Sequence, residues 1–198
     1  VEGFEEKRVV VVGGGNSAVQ IAFELAQVSQ VSLATRKPIS FSPQRILGKD
    51  LHFWLTVSGL DRFSFSKGLS TKVSVLDTGI YQEAISKKRP DARPMFSSFT
   101  EKGVVWGDGQ EKKIDAVLFA TGYRAKVMYL KTLQKALDSS GAPIQNKGIS
   151  QNVHGLYYIG LSGQLALSSA TLRGVGSDAN YVVIQVKLYV KKHSPLLQ

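Results

Sequence analysis

Val9 to Val12 form an unbroken apolar run, followed by Gly13, Gly14 and Gly15 and then by a segment whose polar residues return at helical spacing. A β-branched run without alternation predicts a strand buried on both faces. Over residues 16–28, Ala18, Ile21, Ala22 and Leu25 share one face, while Gln20, Glu24 and Gln27 form a narrow polar stripe. That pattern predicts a helix covered on more than one side. Residues 31–35, VSLAT, predict a second strand, so strand, helix and strand follow within about thirty residues.

Further along, the Ser-, Phe- and Pro-containing stretch 39–45 predicts a loop. Residues 46–58, with Leu47, Leu51, Trp54 and Leu55, predict a short helix ended by Gly59, with Phe53 and Trp54 assigned to packing. Residues 60–72 carry no usable motif, 73–77 predict a strand, and 80–86 a helical turn. From Arg93 to Thr121 the period becomes two. Strands are predicted over 95–100, 103–106 and 112–114, with turns at Glu101-Lys102-Gly103 and Asp108-Gly109-Gln110, as an antiparallel meander covering one side of the first unit. A buried strand over 114–119 then runs into Ala120-Thr121-Gly122-Tyr123-Arg124. A helix is predicted over 128–137, a strand over 154–160 and a closing helix over 175–191, with Tyr181, Ile184 and Leu188 on one face and Lys187 and Lys191 on another.

Composition narrows the function classes. At 198 residues, 43% of them hydrophobic, the chain has material for one good core or two small ones. No apolar run reaches the roughly eighteen residues of a membrane span, and the start, Val-Glu-Gly-Phe-Glu-Glu-Lys, has no signal-peptide pattern. With nothing to export it, the expected compartment is cytoplasmic. The missing initiator Met and the immediate onset of the first strand lead us to expect a piece excised from a longer chain, with tag removal or terminal processing as alternatives that give the same start. The absence of cysteine excludes disulfides, thiolate metal sites and a redox dithiol, and three widely spaced histidines do not make a metal site. The net charge of +10 is dispersed; its dense runs are Lys87-Lys88-Arg89 and Lys191-Lys192-His193. Solvated surface charge explains this better than a nucleic-acid interface, and a basic surface also draws in an anionic cofactor.

The glycine run carries the chemistry. Strand, Gly13-Gly14-Gly15-Asn16-Ser17-Ala18 and helix match the G-x-G-x-x-A form of a dinucleotide-binding βαβ unit. Gly13 is expected to make the tight turn, Gly15 to let a pyrophosphate approach the backbone, and Ala18 to pack helix on strand. The pyrophosphate would sit on the free amides at the helix N-terminus. At the end of the second strand stand Arg36 and Lys37, where NAD-binding sites place an acid. Their charge points to the ribose 2′-phosphate, hence NADPH over NADH, against the alternative of a solvated strand end. Arg45 in the following loop is a further candidate for facing that phosphate. The fold class expected is α/β: a Rossmann-like parallel sheet with an antiparallel β-meander, in three layers.

The glycine turn, the meander and the return strand ending in Ala120-Thr121-Gly122 resemble, in that order, the NADPH domain of two-dinucleotide flavoproteins of the flavin-containing monooxygenase-like group. The likeness runs nearly end to end. It implies that Thr121 and Gly122 approach the NADP(H), that Gly160 ends a strand of an FAD domain against the flavin nucleotide, and that Arg173 and Gly174 begin the loop closing over the isoalloxazine edge. It also implies a second, FAD-binding glycine motif, which this chain lacks; the Phe-x-Gly-x-x-x-His signature expected upstream of the NADPH glycines is likewise missing. The resemblance therefore implies an NADPH-binding domain over 1–125 and the end of an FAD domain over 126–198. As a whole it implies an NADPH-dependent flavoprotein oxidoreductase or monooxygenase, this piece inactive alone, acting on a small-molecule substrate, with neither nucleic acid nor membrane as partner.

Two other readings compete. A thioredoxin-reductase-like disulfide reductase needs a Cys-x-x-Cys that is not here. A non-catalytic NADPH-binding, redox-sensing or regulatory module would bind without turnover. No acid, base or nucleophile stands out; Asp50, His52 and Asp178 are assigned structural or solvated roles.

Overall fold

The computed structural model describes residues 1–62 and 74–193. They fall into two compact units, one of residues 1–51 with 74–123 and one of residues 52–62 with 124–193. Of the described residues between Leu51 and Ser74, 52–62 group with the second unit. Val73, with which the expected strand over 73–77 begins, lies outside the described residues.

In the first unit, β1 (Arg8–Val12) leads through the glycine turn into α1 (Asn16–Leu25) and on to β2 (Gln30–Thr35). Then follow β3 (Phe41–Pro43), β4 (Arg45–Ile46), β5 (Lys49–Asp50) and α2 (Leu51–Ser58), which runs into the second unit. β6 (Val75–Asp77), α3 (Ile80–Ser86) and β7 (Asp91–Pro94) come next, and β8 (Ser98–Phe99), β9 (Gly103–Val105), β10 (Glu111–Lys113) and β11 (Ala116–Phe119) complete the unit. The main sheet is parallel throughout, in the order β11-β1-β2-β7, and β8, β9 and β10 form an antiparallel sheet of their own.

The valine run explains the layering. Successive strand residues point to opposite faces. Val9 and Val11 join Leu33 on the face covered by Ala18, Val19, Ala22 and Leu25 of α1, with Val75, Tyr81 and Ile85 alongside. Val10 and Val12 join Ala34 on the face covered by Phe96, Val104 and Trp106 of the meander. Burying a valine contributes roughly 1.5–3 kcal/mol, so a run that feeds both faces anchors helix layer, sheet and meander layer together. The expected three-layer α/β class holds.

Several elements differ from their sequence reading. α1 ends at Leu25 rather than near residue 28. The expected helix over 46–58 is a β4–β5 hairpin followed by the shorter α2. Leu47 and Gly48, with φ of 48° and 75°, form the two-residue turn that pairs Ile46 with Lys49. A leucine at positive φ gives no turn signal, which hid the hairpin. β7, bracketed by Pro90 and Pro94, carries no apolar run, yet it pairs with β2 from Ser32–Asp91 to Thr35–Pro94. Among the described residues it ends the sheet, and prolines are tolerated at such an edge.

In the second unit the expected helix over 128–137 is two single 3₁₀ turns, Met128–Leu130 and Gln134–Ala136. Leu130 and Ala136 are buried, but Met128, Tyr129 and Leu133 face outward, so no continuous apolar stripe supports an α-helix here. β12 (Gln145–Asn146) and β13 (Ile149–Ser150) form a small hairpin. The expected strand over 154–160 is reduced to one bridge between Tyr157 and Ile149. Tyr158 packs with Val127 and Leu130, and its carbonyl accepts the Gln164 side-chain amide at 3.0 Å. α4 (Val175–His193) closes the chain. It is anchored by Asp178 and Val182, whereas Ile184 and Leu188 of the expected apolar face are exposed.

Candidate functional site

The chain runs from β1 outward to β2 and β7, then returns to place β11 on the other side of β1. The carboxyl ends of β1 and β11 therefore flank the point where the strand order reverses, and in open α/β sheets ligands bind in the crevice at such a point. Both informative segments of the sequence meet there. Ala120 donates its amide to the Val12 carbonyl at 2.8 Å, and Gly13 donates to the Ala34 carbonyl at 3.0 Å.

Gly13 has φ of 145°, and a Cβ on it would run into the Ala120 carbonyl oxygen and lie 2.9 Å from the Ala18 Cβ. Beyond the tight turn expected of it, Gly13 thus lets three elements converge. Ala18 is fully buried at that convergence. Gly15 sits just before α1 in extended backbone, and no side chain caps the helix. The first helix-type bond is from the Val19 amide to the Gly15 carbonyl, so among the described residues the amides of Gly14, Gly15, Asn16, Ser17 and Ala18 have no acceptor. Unsatisfied amides at a helix N-terminus hold phosphate well.

Asn16 does something the motif does not specify: its Oδ1 accepts the Leu76 amide at 2.9 Å, fastening β6 to the start of α1. Ser17 is exposed at the helix mouth. Gly14 is near Thr35, where a Cβ would lie 3.8 Å from the threonine methyl, so the end of β2 runs beside the turn. Arg36 and Lys37 follow directly, both exposed and without a hydrogen-bond or ion-pair partner among the described residues. Arg45 stands in β4 and lines a separate open cavity of about 520 Å³ with Phe41, Pro43, Asp77 and Gln82. Asp77 is buried, and its carboxylate accepts the amides of Gly79 (2.9 Å), Tyr81 (3.1 Å) and Gln82 (3.0 Å). Burial pushes its pKa up, but these amide bonds outweigh it and leave the carboxyl below its ordinary value. The Asp-Thr-Gly sequence ahead of an apolar turn is the cap signal that would have revealed this role.

Thr121 and Gly122 follow β11, both exposed; Gly122 has φ of 83° with open space where a side chain would stand. In the second unit Gly160 likewise has φ of 85° and open surroundings. The other two residues expected at the flavin are engaged within that unit. Arg173 donates to the Thr56 hydroxyl. Gly174 is buried, its amide is given to the Thr171 carbonyl at 3.1 Å, and a Cβ on it would collide with the Ser168 carbonyl. Gly174 is therefore required by the packing of its own loop. Sequence reasoning missed a neighbouring pair: Ser169 donates to Asp178 Oδ1 at 3.1 Å, and both are buried. Gly160 is thus open to its surroundings, while the Gly174 amide is already taken.

Comparison with known proteins agrees with this architecture. Residues 1–160 match the family model described as pyridine nucleotide-disulphide oxidoreductase. A CzcO-like oxidoreductase of Geobacillus kaustophilus is 30% identical over 90% of this chain and 52% of its own length. The indole-3-pyruvate monooxygenase YUCCA4 of Oryza sativa subsp. japonica is 30% identical over 92% of this chain and 47% of its own. Among solved structures, the flavin-containing monooxygenase of Stenotrophomonas maltophilia superposes with a TM-score of 0.73 at 25% identity, covering 95% of this chain and 52% of that one. The chain thus spans about half the length of the relatives it matches. Among the described residues no helix is long and apolar enough to cross a membrane.

Proposed function

The chain belongs to the pyridine nucleotide-disulphide oxidoreductase family, and from that premise we propose that it is the NADPH-binding portion of a flavin-dependent, monooxygenase-like oxidoreductase. The observation that carries this reading is the row of acceptor-less amides from Gly14 to Ala18 at the strand-order reversal. These amides hold the pyrophosphate, helped by the positive end of the α1 dipole. Arg36 and Lys37 select the 2′-phosphate, the guanidinium through paired hydrogen bonds and the ammonium as a point charge. Ala120, Thr121 and Gly122 form the other wall of the crevice. When bound, the cofactors supply the redox step, a hydride passing from nicotinamide to FAD. The chain's own contribution is to bind and orient; the oxidised substrate is a small molecule.

The test is calorimetric titration of the chain with NADP⁺ and NAD⁺. NADP⁺ binds at least tenfold more tightly, and Gly15→Val abolishes binding of both while the protein stays folded. Unchanged affinity in Gly15→Val would reduce the glycine run to a simple turn. FAD binds this chain poorly; tight stoichiometric flavin would overturn the assignment of the missing half. Reconstituting the longest available protein with FAD and following NADPH oxidation separates an oxidoreductase from a regulatory module, which binds without turnover.

A further inference from the structure

At the amino-terminal edge of the parallel sheet, the opposite end from the glycine turn, a cleft of about 310 Å³ opens between the starts of β1, β2 and β7 and strand β10. Val31, Pro90 and Ile114 supply its apolar lining; Arg8, Ser32, Lys88, Arg89, Lys112 and Lys113 supply polar groups. The acids nearby are already engaged. Asp115 takes the Arg8 guanidinium in a two-pronged pairing, Nε to Oδ2 at 2.9 Å and Nη2 to Oδ1 at 2.7 Å. Asp91, the acid of the cleft, is held by Arg93 at 2.5 Å. Among the described residues, the side chains of Lys88, Arg89 and Lys112 have no hydrogen-bond or ion-pair partner, and Lys113 makes no hydrogen bond but acts through its charge on Asp115.

Cations near a helix C-terminus ordinarily offset the helix dipole. That explains Lys87, which ends α3 and pairs with Glu83 at 2.6 Å. It does not explain Lys112 and Lys113, which come from an antiparallel strand paired with Val104 and Gly103. Charges of one sign on residues that line a concave, partly apolar surface focus the field and concentrate an oppositely charged ligand. The Ser32 hydroxyl, half-buried and without a partner among the described residues, adds a neutral donor. The volume lies at the low end of the roughly 300–1,000 Å³ of small-molecule sites, which suits a compact ligand rather than a whole dinucleotide.

We propose that this cleft binds a small, multiply phosphorylated ligand at a site separate from the glycine turn. The probe is pyrophosphate, titrated calorimetrically into the chain at physiological ionic strength. It still binds Gly15→Val, in which the glycine turn is closed to phosphate, and binding to that variant weakens at least tenfold when Lys112→Glu/Lys113→Glu is added to it, with the circular dichroism spectrum unchanged. A second measurement needs no variant: acetic anhydride labelling of the unaltered chain, read by mass spectrometry, shows Lys88, Lys112 and Lys113 shielded by pyrophosphate and Lys37 not. Equal affinity in the charge-reversed protein, or shielding of Lys37 alone, overturns the proposal. So does shielding of the cleft lysines by a polyglutamate peptide but not by pyrophosphate, which would make the cleft a docking site for acidic protein.

Discussion

Gly13 and the Ala120 carbonyl oxygen approach so closely that no side chain fits between them, and a Cβ on Gly13 would also press to within 2.9 Å of the Ala18 Cβ. The two ends of the crevice are thereby held together through one missing methyl group. Gly13→Ala should force β11 or α1 away and cost about 1–3 kcal/mol, the usual penalty of overpacking, with strain from φ of 145° in addition. Urea unfolding measures the loss. Stability equal to the unaltered chain would mean that the turn relaxes freely.

Arg36 stands one residue beyond the strand that flanks the glycine turn. Arg36→Glu should lower NADP⁺ affinity by roughly 10- to 100-fold, as expected from losing about 1.5–3 kcal/mol of charged hydrogen bonding, and change NAD⁺ affinity little. Competitive titration of the two nucleotides reads the difference. Equal losses for both would remove the 2′-phosphate role.

Arg8 and Asp115 join the starts of β1 and β11, and Asp115 also accepts the Arg8 amide at 2.8 Å. The Arg8 side chain first, then its amide, hold the Asp115 carboxyl well below the ordinary carboxylate range, with Lys113 adding a smaller push the same way. A carboxyl whose pKa falls on folding stabilises the protein above its unfolded value, near 4, and that contribution fades as pH drops through the folded value. Asp115→Asn should therefore flatten the fall in melting temperature below about pH 4 relative to the unaltered chain. Parallel curves for the two proteins would show that the pair does not couple to folding.

Ser169 satisfies three groups at once, accepting the Leu165 amide at 2.9 Å and the Ala166 amide at 3.0 Å while donating to Asp178. Ser169→Ala strands these polar groups in a buried setting, at a cost of about 1–3 kcal/mol. The second unit should become the more sensitive to proteolysis. Unaltered cleavage between residues 161 and 178 would argue against the pair as its fastening.

What the sequence by itself determined is what neighbouring residues settle among themselves. Four consecutive valines dictate a strand buried on both faces, and glycines followed by Ala18 dictate a turn into a closely packed helix. Asp108-Gly109 dictates a hairpin between β9 and β10. Only the tertiary structure decided the rest, because pairing and burial depend on partners distant in the chain. β7 is a strand because β2 offers it hydrogen bonds, although Asp91-Ala92-Arg93-Pro94 has no strand pattern of its own. Tyr157 makes one bridge where a strand was expected, since Ile149 is its pairing partner among the described residues. α4 turns Asp178 and Val182 inward because Ser169 and Gly148 wait there, a choice that its own apolar periodicity does not contain.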